Sequence, residues 1–149
     1  MTALSVQLDE LPGLAGTRLP ASAPRSITQG DVDRFAALTG DDQWIHVDPE
    51  RAADQGGTVA HGFLLLGLIG GFWGDLLEVR GAARALNYGL DRVRFLAPVP
   101  VDSTVHAEGH VLDVTERPDG IRVAIALDIL VGDERKPAVV ATSIVLFQH

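Results

Sequence analysis

Between Gly62 and Leu77 the sequence GFLLLGLIGGFWGDLL is apolar on nearly every side, and it contains glycines at helical spacing. Apolarity all round marks a helix surrounded by protein rather than one lying on a surface. Gly67, Gly70, Gly71 and Gly74 fall at i, i+3, i+4 and i+7, so they line one face. Each glycine costs roughly 1 kcal/mol of helix propensity against alanine, so tertiary packing has to compensate. A bare stripe also lets another backbone come close. A sheet wrapped around this helix satisfies both demands. The run from Gly62 to Gly74 is 13 residues long before Asp75 interrupts it, whereas a membrane span needs about 20 apolar residues. The segment reads as a core helix, with no membrane span.

The flanking sequence supplies the other layer. Residues 1–25 contain Leu11-Pro12-Gly13 and Leu19-Pro20 with little periodicity, which reads as a short strand or extended arm and then a loop. Thr28-Gln29-Gly30-Asp31 is a capping-box pattern, and Val32, Phe35, Ala36 and Thr39 keep helical spacing until Gly40. Asp48-Pro49 is a second start signal, for a short helix through Ala53 that Gly56-Gly57 closes. Beyond Arg84 the period changes to two. Val105, Ala107, Gly109 and Val111 alternate with polar residues, and Val123, Ile125, Leu127 and Ile129 recur at every second position, the pattern of half-buried strands. Pro118-Asp119-Gly120 and Gly132-Asp133 are turns, and Val139 to Phe147 makes a last strand. The expectation is one domain over 1–149, an α+β layer in which an antiparallel meander of four or five strands curls about one helix.

Composition removes several functions. The chain of 149 residues has no cysteine, which excludes disulfides, thiolate ligands and a cysteine nucleophile and suits a reducing cytoplasm. Its formal charge is −8 without a block of Lys and Arg, so nucleic acid is not an expected partner. The first residues include Asp9 and Glu10 and lack a basic stretch ahead of an apolar one, so they do not read as a signal peptide.

The chemistry is concentrated just upstream of the apolar helix, in GDDQWIHVDPE (Gly40–Glu50) and AHGF (Ala60–Phe63). Asp41 and His46 stand five positions apart on what reads as a loop. An aspartate is ionised near neutrality while a histidine titrates close to it, so the pair offers an acid and a base together. An ordinary turn aspartate and a loop histidine bonded to Asp48 or to backbone are the structural alternatives.

The run from Phe35 to Gly62, with TGDDQWIHVDP and AHG, resembles the hydratase motif of the MaoC-like, (R)-specific enoyl-CoA hydratases, and Arg92 to Val99 resembles that family's strand after the central helix. The resemblance covers about two thirds of the chain. It implies the single hotdog fold and a homodimer joined edge to edge. It assigns catalysis to Asp41 and His46, which match the family's D-x-N-x-x-H pattern. The Gly62 amide would take the enolate oxygen, in a position where glycine lets the substrate come close, and Phe63 to Leu66 would help wall an acyl tunnel. The implied substrate is an acyl-CoA or acyl carrier protein thioester, handled with no cofactor and no metal. Gln43 stands in place of the family's usual Asn and Trp44 in place of Pro, which lengthens the amide's reach and loosens the loop; both are candidates for a substrate loop. A hotdog thioesterase and a noncatalytic thioester-binding subunit fit the same residues.

Other residues are read as structural. His61, at the helix entrance, is expected to make a structural hydrogen bond. His106 and His110 share a strand face but have no third ligand in pattern, so they read as solvent-facing. Trp44 fits either a cover for the site or a plug beneath its loop. Arg80, Arg84, Arg92 and Arg94 are cations to test against the nucleotide end of a substrate. No dinucleotide or phosphate-loop fingerprint accompanies the glycine stripe.

Overall fold

The computed structural model describes residues 2–149. It begins with β1 (Leu4–Gln7), a 3-10 stretch (Leu8–Leu14) and the two-residue β2 (Arg25–Ser26). Three short helices follow, α1 (Gln29–Thr39), α2 (Trp44–Val47) and α3 (Pro49–Ala52), and then the long α4 (Gly62–Leu76). The remainder is β3 (Leu77–Arg80), β4 (Arg84–Phe95), β5 (Thr104–Arg117), β6 (Gly120–Val131) and β7 (Val139–Gln148).

β5, β6 and β7 form the meander that the turn residues predict, each antiparallel to the next. β4 pairs with the far side of β7 and β2 with the outer side of β5, so the sheet order is β2-β5-β6-β7-β4. β1 lies apart, parallel to β3. Leu65, Ile69, Phe72, Trp73 and Leu76 on α4 are buried, in one core with Val105, Val111, Val123, Ile125 and Leu127 of the sheet. The Trp73 indole N–H donates to Ser143 Oγ on β7 at 2.8 Å, tying helix to sheet inside that core. This is the hotdog arrangement, an antiparallel sheet curled about one helix.

Two local expectations need correction, and β4 adds an exposed edge. α4 is not covered on all sides: Gly67, Gly70, Gly71 and Gly74 are exposed, and a Cβ at Gly67 or Gly74 would meet nothing within 4 Å. The stripe lies on the open side of the helix, with Asn87 of β4 beside Gly70 and Arg25 of β2 beside Gly71, while Leu65, Ile69, Phe72, Trp73 and Leu76 point into the core. β4 is exposed along almost its whole length, with Leu86, Tyr88 and Leu90 at 38, 54 and 38 %, and as the last strand of the sheet it has one edge unpaired. β6 is not half-buried: Ala124 and Leu130, on the face opposite Val123 and Ile129, are buried too.

Candidate active site

Two helix ends deliver the acidic loop. Thr28 caps α1 with its hydroxyl accepting from the Asp31 amide, while the Asp31 carboxylate accepts from the Thr28 amide at 2.9 Å and its hydroxyl at 2.8 Å. Those bonds, helped by Arg34, hold the Asp31 carboxyl below its ordinary pKa against the opposing effect of desolvation. At the other end Gly40 takes φ 79°, a left-handed cap that glycine adopts without strain, and its N–H closes on Ala36 O at 2.8 Å. The chain thereby leaves α1 abruptly at Asp41. His46 does not sit on an open loop: Trp44–Val47 is a single helical turn. Asp48 ends that turn and caps α3, accepting from the Arg51 amide at 3.0 Å.

A second strip of backbone faces this loop. Residues 58–60 lie antiparallel to 99–101, with Ala60 N–H donating to Val99 O at 2.8 Å, Val101 N–H to Thr58 O at 2.9 Å, and a bridge between Val59 and Pro100. The Val59 carbonyl points at His46 and accepts from its Nδ1 at 2.6 Å. A carbonyl can only accept, so Nδ1 carries the proton and the neutral ring keeps its lone pair on Nε2. Gln29, which sequence reasoning placed only within a capping box, holds the same turn from behind. Its amide donates to His46 O at 2.7 Å and accepts from the Thr58 hydroxyl at 2.5 Å. A contact between residues 17 apart leaves no local sequence signal.

Asp41, His46, His61, Gly62 and Phe63 line one cavity of about 400 Å³, closed on its far side by Phe95 to Val99. An oxygen of the Asp41 carboxylate and one nitrogen from each imidazole lie within 4.8 Å of one another. Asp41 is exposed whereas His46 and His61 are buried at 7 and 1 %. His61 makes the backbone hydrogen bond expected of it, from Nε2 to Asp41 O at 2.8 Å, and its ring stacks on His46 at 3.8 Å and 20°. A metal would need ligand lone pairs that converge at about 2 Å. Two nearly parallel rings send theirs side by side, so one imidazole would have to turn.

Gly62 is the first residue of α4, where the amide has no acceptor within the helix and the dipole favours an anion. The space over its Cα, expected for substrate, is filled by Phe95: an added Cβ would come within 2.7 Å of that ring. Phe63 is 70 % exposed at the mouth and meets Phe95 edge-on at 6.2 Å. Gln43 and Trp44, expected on a substrate loop, do not line the cavity. Gln43 is exposed as the residue before α2, and Trp44 is half-buried under Arg51, whose guanidinium lies 4.3 Å from its ring centre. Trp44 thus lies outside the cavity lining and is not fully buried. Arg80, Arg84, Arg92 and Arg94 are exposed and outside the cavity lining. His110 is exposed, as expected, but His106 is half-buried with Nε2 3.7 Å from Glu108.

Residues 11–131 match the MaoC like domain. The chain belongs to the MaoC-like dehydratase family. Among MaoC-like relatives, it is 43% identical over 141 residues to the 3-hydroxyacyl-thioester dehydratase Z of Mycobacterium tuberculosis, covering 93% of both chains. It is 36% identical over 148 residues to nodulation protein N of Rhizobium leguminosarum bv. viciae, covering 96% of this chain and 92% of that one. The MaoC-like fold is shared with the solved (R)-hydratase from A. caviae involved in PHA biosynthesis, at a TM-score of 0.73 and 26% identity over 89% of this chain and 96% of that one. This MaoC-like protein is therefore an enzyme of the dehydratase class with the hotdog fold.

Proposed function

We propose that this enzyme adds water reversibly to trans-2-enoyl thioesters, giving (R)-3-hydroxyacyl products, with Asp41 and His46 as its catalytic pair. The observation that carries the reading is their convergence with the Gly62 amide in one cavity. The names of the mycobacterial relative and the A. caviae neighbour support the reaction class. One water sits between the Asp41 carboxylate and His46 Nε2, the nitrogen left free by the bond to Val59. His46 takes a proton from it as the oxygen bonds to C3. The C2–C3 π electrons move onto the thioester, and the Gly62 N–H donates to the enolate oxygen. A proton then returns to C2, so that H and OH have added across the double bond and both side chains regain their starting states.

The substrate is carried on CoA or on an acyl carrier protein. The working unit is a homodimer in which the free edge of β4 and the exposed glycine stripe of α4 meet a second copy. A long unpaired edge with exposed apolar residues is otherwise an aggregation liability. We assign the enzyme to the cytoplasm; no helix among the described residues is long and apolar enough to cross a membrane.

The test follows loss of enoyl absorbance with crotonyl-CoA and a longer trans-2-enoyl-CoA, coupled to an (R)-specific 3-hydroxyacyl-CoA dehydrogenase. Wild type should turn over, and folded Asp41→Asn and His46→Gln should each lose about 10²-fold or more in kcat. Activity indifferent to both substitutions would refute the pair. Thiol release from a saturated acyl-CoA, without hydration, would move the reading to a thioesterase.

A further inference from the structure

We propose that His61 is a positioning residue for this reaction, setting Asp41 through its backbone and His46 through its ring. The inference rests on the hydratase reading for its kinetic consequence, though not for its geometry.

Asp41 is otherwise loosely held. It follows a left-handed glycine, its side chain is exposed, and its own amide reaches Thr39 Oγ1 only at 3.4 Å. The bond from His61 Nε2–H to the Asp41 carbonyl, at 2.8 Å, is its tightest polar tie among the described residues. Tethering that carbonyl restricts the backbone from which the carboxylate projects. His46 is held in the ring plane by the Val59 carbonyl, and the flat face of His61 at 3.8 Å stops the imidazole from tilting out of it. Phe35, 4.8 Å from His61, keeps that ring from moving in turn. One side chain thus touches both members of the pair.

The orphaned nitrogen argues against a merely space-filling role. His61 is 1 % exposed, and its Nδ1 is the one buried side-chain polar atom without a partner among the described residues. Because Nε2 must donate to a carbonyl, Nδ1 is left as a buried acceptor with nothing to accept. A phenylalanine would fill the same space and leave no polar atom unsatisfied. Cores that need only packing avoid such a group; one that is kept points to a function its other atoms perform.

The two contacts separate by substitution. His61→Phe keeps an aromatic face and loses the bond to Asp41; His61→Gln keeps an N–H donor near the Nε2 position and loses the face. With crotonyl-CoA, His61→Phe should lower kcat by about 10²-fold, the effect of a misplacement near 1 Å, while KM moves less than about twofold. His61→Gln should recover roughly tenfold of that loss. In an Asp41→Asn background His61→Phe should have little further effect, because it acts through that residue. Folded variants with kcat within about twofold of wild type would overturn the inference, as would an undiminished further loss from His61→Phe in the Asp41→Asn background. Imidazole ¹⁵N spectra of the ligand-free protein test the geometry without turnover. Wild type should show His61 as the Nε2–H tautomer and His46 as the Nδ1–H tautomer, and His61→Gln should average the His46 signals. An Nδ1–H tautomer for His61 in wild type overturns the tether even if neither variant folds. A wild type that holds these tautomers but does not hydrate enoyl-CoA refutes the hydratase reading instead, leaving the tether in place.

Discussion

Replacing Gly62 by alanine asks whether the Phe95 ring needs that glycine. The new Cβ would lie 2.7, 2.8 and 2.9 Å from Cε1, Cζ and Cδ1 of Phe95, whereas relaxed carbon contacts are about 3.5–4.0 Å. The ring has to retreat by roughly 1 Å. Phe95 is 49 % exposed and can swing outward, giving up its edge contact with Phe63. Its displacement therefore costs about 1–2 kcal/mol, the lower part of the range for overpacking. Alanine returns up to about 1 kcal/mol of helix propensity, and Gly62 has no positive φ that would strain it. The net expectation is a loss of between about 0 and 2 kcal/mol in an otherwise wild-type chain. In a Phe95→Ala background the obstacle is gone, so the same substitution should become neutral or stabilising, a coupling of about 1–2 kcal/mol. Urea unfolding of the four proteins measures it, at one fixed protein concentration because assembly adds to stability. If Gly62→Ala has the same effect in both backgrounds, within about 0.3–0.5 kcal/mol, the two residues do not compete for that space and the reasoning fails.

Two further outcomes follow from contacts elsewhere. Gly67→Leu enters open space in the isolated chain and gains about 1 kcal/mol of helix propensity, so it should leave the fold intact by circular dichroism. It should convert a wild-type dimer to monomer in size-exclusion light scattering; an unchanged dimer would remove the stripe from the interface, and a monomeric wild type would remove the dimer. Because the folded-state pKa of Asp31 is lowered, its carboxylate contributes stability above the unfolded value of about 4, lost as pH falls through the folded value. The Tm deficit of Asp31→Asn should be full at neutral pH and shrink below about pH 4; a deficit independent of pH would contradict the capping role.

The parts legible in the sequence are those whose cause is local. Thr28, Asp31 and Gly40 mark α1 to the residue, since a cap and a left-handed glycine act within a few positions. Asp48-Pro49 does the same for α3, and Asp119-Gly120 for the β5–β6 turn. The motif spacing also singled out residues that the fold brings together, with Asp41 and His46 on one cavity and Asp42 outside it. What stayed hidden depends on contacts between distant segments. A four-residue α2 is too short for any period to show. Residue types report that a glycine stripe wants a backbone neighbour, but not whether that neighbour belongs to the same chain. Gln43 and Trp44 are candidates for a substrate loop because they stand at the motif's Asn and Pro positions, yet the chain entering α2 leaves them outside the cavity lining as it brings His46 in. The approach of Phe95 to Gly62 spans 33 positions and had no signal in either segment.

The antiparallel strip joining residues 58–60 to 99–101 makes the site a matter of alignment between two short tapes. The Val59 carbonyl lies on one tape, and the His61 ring and the Gly62 amide follow directly after its end, so a slip of a single residue would turn the carbonyl from His46 and aim the wrong side chain at Asp41. Much of the surrounding sequence can then drift freely while an insertion or deletion between Thr58 and Gly62 is forbidden. Mutational scanning should find this stretch tolerant in length nowhere, and the exposed turn at 132–136, which touches none of these groups, tolerant almost everywhere.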